Sequence, residues 1–220
     1  MAEEKKDQEL SLEDAGELQE TEEKKEPESW ESTAYCCAQA LITAVVGVVV
    51  LFTFFIRLIG VSGGSMQDTL YTGDRLLVLN SIFCDFQPGD VVVVNDYNAG
   101  LNETLVKRIV AVGGQTVDID FDAGIVYVDG QALDEPYAKE PTYKSEGTQF
   151  PLTLAEDEVF VMGDNRNHST DSRSTLLGAV DERYVVGKAV LVVFPGKTAQ
   201  YTGELPGSGP RDYSRIGPIR

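Results

Sequence analysis

A chain of 220 residues has room for one domain of ordinary size with flanking segments. Its net charge of -18, with no Lys/Arg cluster, argues against nucleic acid as a partner, because phosphate backbones are bound through basic patches that displace counterions. Three cysteines, with Cys36 and Cys37 adjacent, cannot build a disulfide framework; a single histidine and no CxxC or HExxH spacing leave no metal site, and no cofactor is expected.

Residues 1–32 hold 13 acidic and 4 basic residues, about half of the net charge. Almost no large apolar side chain lies among them, so the segment cannot bury enough surface to offset ordering entropy, and an acidic disordered tail is expected. Residues 33–56 then run for 24 residues without a charge. As a helix this run would reach roughly 36 Å, against a hydrocarbon core of roughly 30 Å, so one transmembrane helix is expected within residues 33–59. A cleaved secretory signal fits less well, since its apolar region typically runs only about 7 to 15 residues behind a basic flank. A core helix fits less well still, because residues 45–56 are apolar all round rather than striped. Lys24 and Lys25 precede the run while Arg57 and Arg75 follow it, so charge alone leaves the orientation undecided.

Beyond the helix, short runs rich in Val, Ile and Leu alternate with turn signals, the pattern of an all-β domain over residues 60–195. The runs are 76–79, 91–94, 105–112, 117–120, 125–128, 159–162 and 185–194. Pro88-Gly89, Gly113-Gly114 and Asp129-Gly130 break them, and Asp129-Gly130 has the chemistry of a tight hairpin turn. Residues 131–158, with Pro136, Pro141 and Pro151, are expected to leave the sheet. An irregular tail is expected over 196–220.

A hydrolase needs a nucleophile and a base, and a Ser/His/Asp triad would have to use His168. That residue sits in a polar loop, Gly163-Asp164-Asn165-Arg166-Asn167-His168-Ser169, where a lone histidine is more often bland than catalytic. Lys107 is the stronger candidate, because it interrupts an apolar strand in which alternate side chains share a face. On the face of Leu105, Ile109 and Ala111, desolvation would lower its pKa from the model value of about 10.4 and let a neutral amine accept a serine proton. An edge-strand lysine that deters aggregation would have the same pattern. Ser65 follows Gly63 and Gly64 in a small-residue turn just after the apolar run, where backbone can approach a substrate closely. Nothing local activates it, and a plain Gly/Ser linker would look alike.

Three segments together resemble the type I signal peptidases: Ser65-Met66-Gln67-Asp68-Thr69-Leu70; Lys107-Arg108-Ile109-Val110-Ala111-Val112-Gly113-Gly114; and Gly163-Asp164-Asn165-Arg166-Asn167-His168-Ser169-Thr170-Asp171-Ser172-Arg173. The resemblance covers roughly residues 35–195 and implies a signal-peptidase/LexA-like, mainly β catalytic domain behind a single anchor. It implies Ser65 as nucleophile before Met66, Lys107 as general base before Arg108, and Ser169 as the serine that orients the lysine. Structural roles are implied for Gly163, Asp164, Asn165, Asp171, Ser172 and Arg173, with Asp171–Arg173 and Asp164–Arg108 as ion pairs. The sequence departs from the family at Asp68, where proline is usual, so a looser turn is expected there. Gly63 stands where some members carry a hydroxyl that helps bind the oxyanion, leaving the Ser65 backbone N–H as donor.

The implied activity is a membrane-anchored serine endopeptidase that removes signal peptides from exported preproteins without a cofactor. Its partners would be secretory preproteins and the lipid bilayer, with the catalytic domain outside the cytoplasmic membrane and the acidic tail in the cytoplasm. Two alternatives stay open: another Ser/Lys peptidase, such as a self-cleaving repressor or a conjugation-linked maturation peptidase, and a catalytically silent β-domain that binds exported peptides.

Overall fold

The structure, a computed structural model, describes residues 30–95, 104–197 and 210–219. Residues 1–29 of the acidic tail and residues 198–209 of the C-terminal tail lie outside the described residues. The chain divides into two units, Met1–Gly47 and Val48–Arg220.

The first unit is described by a helix, α1 (Trp30–Val50), which ends within the second. All its side chains are exposed, and Trp30–Phe55 is long and apolar enough to cross a membrane. An apolar surface on every side gains nothing from water and matches lipid as solvent. The helical reading to residue 59 is corrected at its far end. After Val50 the chain makes one π-helical turn (Leu51–Phe55) and then enters strand β1 (Ile56–Gly60). Absence of charge marks the length of an apolar run but not where helix gives way to strand. Ile56 and Ile59 are β-branched and suit a pleated surface, and β1 pairs along its whole length with β2 (Arg75–Asn80), from Ile56↔Leu79 to Gly60↔Arg75.

The second unit is built on antiparallel strands, as the alternating runs predict. After β2 come β3 (Val91–Asn95), β4 (Thr104–Ala111), β5 (Thr116–Asp120), β6 (Ile125–Val128), β7 (Gln131–Ala132), β8 (Leu152–Thr153), β9 (Glu158–Met162), β10 (Val180–Asp181), β11 (Val185–Phe194) and β12 (Gly217–Pro218). The large sheet has the order β1-β2-β11-β3-β4-β9-β10 with β12 on β11, and a small sheet has the order β7-β6-β5-β8. Asp129 and Gly130 both adopt positive φ, 51° and 77°, and close the two-residue β6–β7 hairpin.

Four consecutive buried valines in β3 follow from its central place, between β11 and β4. Val91 and Val93 join one apolar cluster with Met66, Leu70, Leu76 and Val78. Val92 and Val94 join another, with Ile109, Val159 and Val161. Both faces of the sheet are therefore covered, and each buried side chain of this size contributes about 1.5–3 kcal/mol. A third cluster, around Val117, Val126 and Phe160, joins the small sheet to β4 and β9.

Two further expectations change. Residues 131–158 contribute β7 and β8 to the small sheet, and between those strands they pack on the loop at 163–173, Lys139 N–H bonding Asp164 O at 2.9 Å. The C-terminal tail is not irregular where it is described. β12 pairs with β11, and a 3-10 turn, Tyr213–Arg215, precedes it. Distant partners hold this end, and composition does not reveal them.

Candidate active site

Ser65 lies in the turn between β1 and β2. Gln67 N–H bonds Gly64 O at 3.2 Å and Leu70 N–H bonds Met66 O at 2.7 Å, so the segment closes on itself, with the buried Met66 and Leu70 facing the core. Gly63, at φ 97°, makes the left-handed step that a side chain would strain. Its N–H and C=O are both engaged by Thr72 Oγ1, at 3.1 Å and 2.9 Å. A cavity of about 300 Å3 opens beside Ser65, lined by the end of β1, the glycine turn and Thr104, Leu105 and Val106 of β4.

Lys107 stands in β4 opposite Val92 and is 2% exposed. Its Nζ donates to Ser169 Oγ at 3.0 Å. Burial lowers its pKa to about 8; the negative charge of Asp171 works against this and the positive charge of Arg173 works with it. The face-sharing expected from alternation holds only as far as Ile109, because a bulge between Ile109 and Ala111 breaks the β4–β9 register, and Ala111 joins the cluster of Val110 instead.

Gly163 joins the two halves. A β-carbon there would come within 2.5 Å of Ser65 O and 2.6 Å of Ser169 Cβ. Only glycine lets the loop after β9 lie against both the serine turn and the hydroxyl that holds Lys107. Asp171 accepts from Gly163 N–H at 2.9 Å and forms a fully buried pair with Arg173, Nε to Oδ1 at 2.8 Å. Burial works to raise the Asp171 carboxyl, but Arg173 outweighs it and holds the group below the usual carboxylate range. Ser172 ties the loop to β9, its Oγ accepting from Val161 N–H at 3.0 Å.

Asp164 connects three elements. It takes both Arg108 Nε and Nη2, at 2.9 Å and 2.8 Å, and the Thr69 hydroxyl at 2.5 Å. Both members of the Arg108–Asp164 pair are buried, so neither expected ion pair is a surface contact. Removing one partner strands a buried charge, at a cost of about 3–5 kcal/mol. Asn165 donates its N–H to Ser65 O and its Nδ2 to Gly64 O, each at 2.9 Å. His168, the alternative base, is exposed.

Three features were not visible as site residues in the sequence. Arg166 is wholly buried and grips Glu135 with two bonds at 2.9 Å and 2.7 Å, from the segment expected merely to wander. Tyr137 lies under Arg108, 4.1 Å from guanidinium to ring centre, and burial with nearby Glu135 pushes its pKa up to about 12. Arg215, near the C-terminus, holds both carboxylate oxygens of buried Asp74 at 3.0 Å and 2.7 Å and donates to Thr69 O at 3.0 Å. No local signal announces that contact, since 141 positions separate the partners.

Asp68 is 61% exposed at its side chain and 3.8 Å from Lys139. In place of a proline ring, the turn is held by Thr69–Asp164, Arg215–Thr69 and Asn165. The expected looseness therefore meets bonds from two distant segments, the loop after β9 and the C-terminal end.

A family model described as signal peptidase, peptidase S26, matches residues 35–194. The signal peptidase I of Bacillus amyloliquefaciens is 36% identical over 180 residues, covering 78% of this chain and 94% of that protein. The signal peptidase I of Mycobacterium tuberculosis is 35% identical over 207 residues, covering 70% of each. A solved signal peptidase I from Enterococcus faecalis V583 is 28% identical, with a TM-score of 0.39 over 48% of this chain and 97% of that chain.

Proposed function

Because the chain belongs to the S26 signal peptidase family and is a signal peptidase I-like serine endopeptidase, we propose that it cleaves exported preproteins after their signal peptides, with Ser65 as nucleophile and Lys107 as general base. The observation that carries this reading is Lys107: a buried lysine, its pKa lowered to about 8, fixed by Ser169 beside a glycine, Gly163, that also abuts Ser65.

The Lys107 amine gives one N–H to Ser169 and keeps its lone pair for the Ser65 proton. Ser65 Oγ then attacks the scissile carbonyl carbon, forming a C–O bond while the carbonyl electron pair moves to oxygen. As the intermediate collapses, the C–N bond breaks and the Lys107 ammonium returns its proton to the departing amine. A water that loses a proton to Lys107 attacks the acyl-enzyme, and Ser65 leaves with that proton. At about 300 Å3 the cavity beside Ser65 is at the small end for binding sites, which suits the small residues before a signal-peptide cut.

In this reading the apolar helix anchors the β-rich domain of residues 60–195 in the cytoplasmic membrane, with that domain outside and the acidic tail inside. A substrate threaded through the same bilayer meets the enzyme at raised effective concentration. The silent-domain alternative rests on Asp68, and the turn there has its own braces. A serine-reactive acylating probe tests the assignment. Labelling of the wild type that disappears in Ser65→Ala is expected, and labelling unchanged by that substitution removes Ser65 from the mechanism.

A further inference from the structure

Gly63, two residues before the proposed nucleophile, has no side chain that could donate to an oxyanion. The nearby hydroxyl, Thr72 Oγ1, spends its proton on Gly63 O. The Ser65 N–H remains, with no acceptor among the described residues. A lone backbone donor stabilises developing charge only if its direction is fixed before the reaction.

The direction of that N–H belongs to the Gly64–Ser65 peptide plane. This bond is trans, so its N–H points opposite to the Gly64 carbonyl. Asn165 Nδ2 donates to that carbonyl at 2.9 Å, and the Asn165 backbone N–H donates to Ser65 O at 2.9 Å, fixing the next plane as well. Asn165 is 3% exposed. Its amide cannot be turned over, since Oδ1 against Gly64 O would set two acceptors face to face. Oδ1 itself is buried without a partner among the described residues, so the amide is retained through its donated bond alone.

We infer that Asn165 is a positioning residue for the oxyanion site: it clamps the Gly64 carbonyl so that the Ser65 N–H faces the substrate carbonyl oxygen. The inference rests on the reading of Ser65 as nucleophile. It separates two duties within one loop, because Ser169 serves the base and Asn165 serves the electrophile's oxygen. A purely structural Asn165 would show itself as lost stability. Asn165→Ala removes one hydrogen bond and one orphaned acceptor together, so its melting temperature should stay within about 4 °C of wild type.

The test is steady-state cleavage of a fluorogenic signal-peptide substrate by the detergent-solubilised full chain, with Ser65→Ala, Asn165→Ala and Asn165→Asp as variants. In Asn165→Ala, kcat should fall about 10- to 100-fold with KM within about threefold and the pH midpoint unmoved. Asn165→Asp keeps the shape but turns an acceptor to Gly64 O, and should fall equally. Either variant, folded, with kcat within about twofold of wild type would overturn the inference. So would a loss confined to KM, or a displaced pH midpoint in Asn165→Ala, which adds no charge and would trace the effect to Lys107. If Asn165→Ala does not fold, Asn165→Asp decides alone. Residual cleavage by Ser65→Ala would instead remove the nucleophile reading, a failure that these kinetics keep distinct.

Discussion

Burial is the largest cause of the lowered pKa of Lys107, and the proposed role of that residue as base depends on the lowering. Its ordinary pKa of 10.5 leaves almost no neutral form at pH 7; at about 8, roughly a tenth is neutral. The sign follows directly: the protonated amine has no lone pair, so kcat/KM should rise with pH and level off above a midpoint near 8. A profile flat from pH 5 to 10 would contradict an amine base. In the sequence, Ser65, Lys107 and Ser169 are singled out by their motif neighbours, and the structure joins Lys107 to Ser169; their catalytic roles are the proposal. The environment of Lys107 was legible only in part, since alternation suggests burial while the bulge after Ile109 and the loop covering the amine are tertiary facts.

Among elements, the loop of residues 163–173 and the turn around Ser65 act as one assembly braced from several segments. Its β scaffold was legible because valine runs, Gly-containing turns and the Asp129-Gly130 hairpin are local signals. The braces were not, because Glu135, Tyr137 and Arg215 reach the site from segments whose composition says only loop. Arg215 tests this most simply. Arg215→Ala leaves buried Asp74 without its guanidinium and frees Thr69 O. A destabilisation of about 2–4 kcal/mol is expected, read as a lowered denaturant midpoint, together with a several-fold fall in kcat. An unchanged midpoint would mean that the C-terminal contact is not part of the fold's support.

For the whole molecule, the comparisons establish an S26 signal peptidase I-like enzyme, and the apolar helix Trp30–Phe55 fits the anchoring proposed for it. That helix was legible from charge alone, yet its end was not: strand β1 begins at Ile56, inside the same apolar run, because pairing with β2 rather than hydropathy decides the change. The proposed chemistry therefore sits only a short stretch of chain from the proposed membrane segment.

The most direct measurement is cleavage of a purified secretory precursor by the detergent-solubilised wild type, Ser65→Ala and Lys107→Ala, with the product N-terminus sequenced. Cleavage at one site after small residues, abolished in both variants while both remain folded, is the predicted result. Cleavage that survives either substitution, or none by the folded wild type, would contradict the Ser65–Lys107 account.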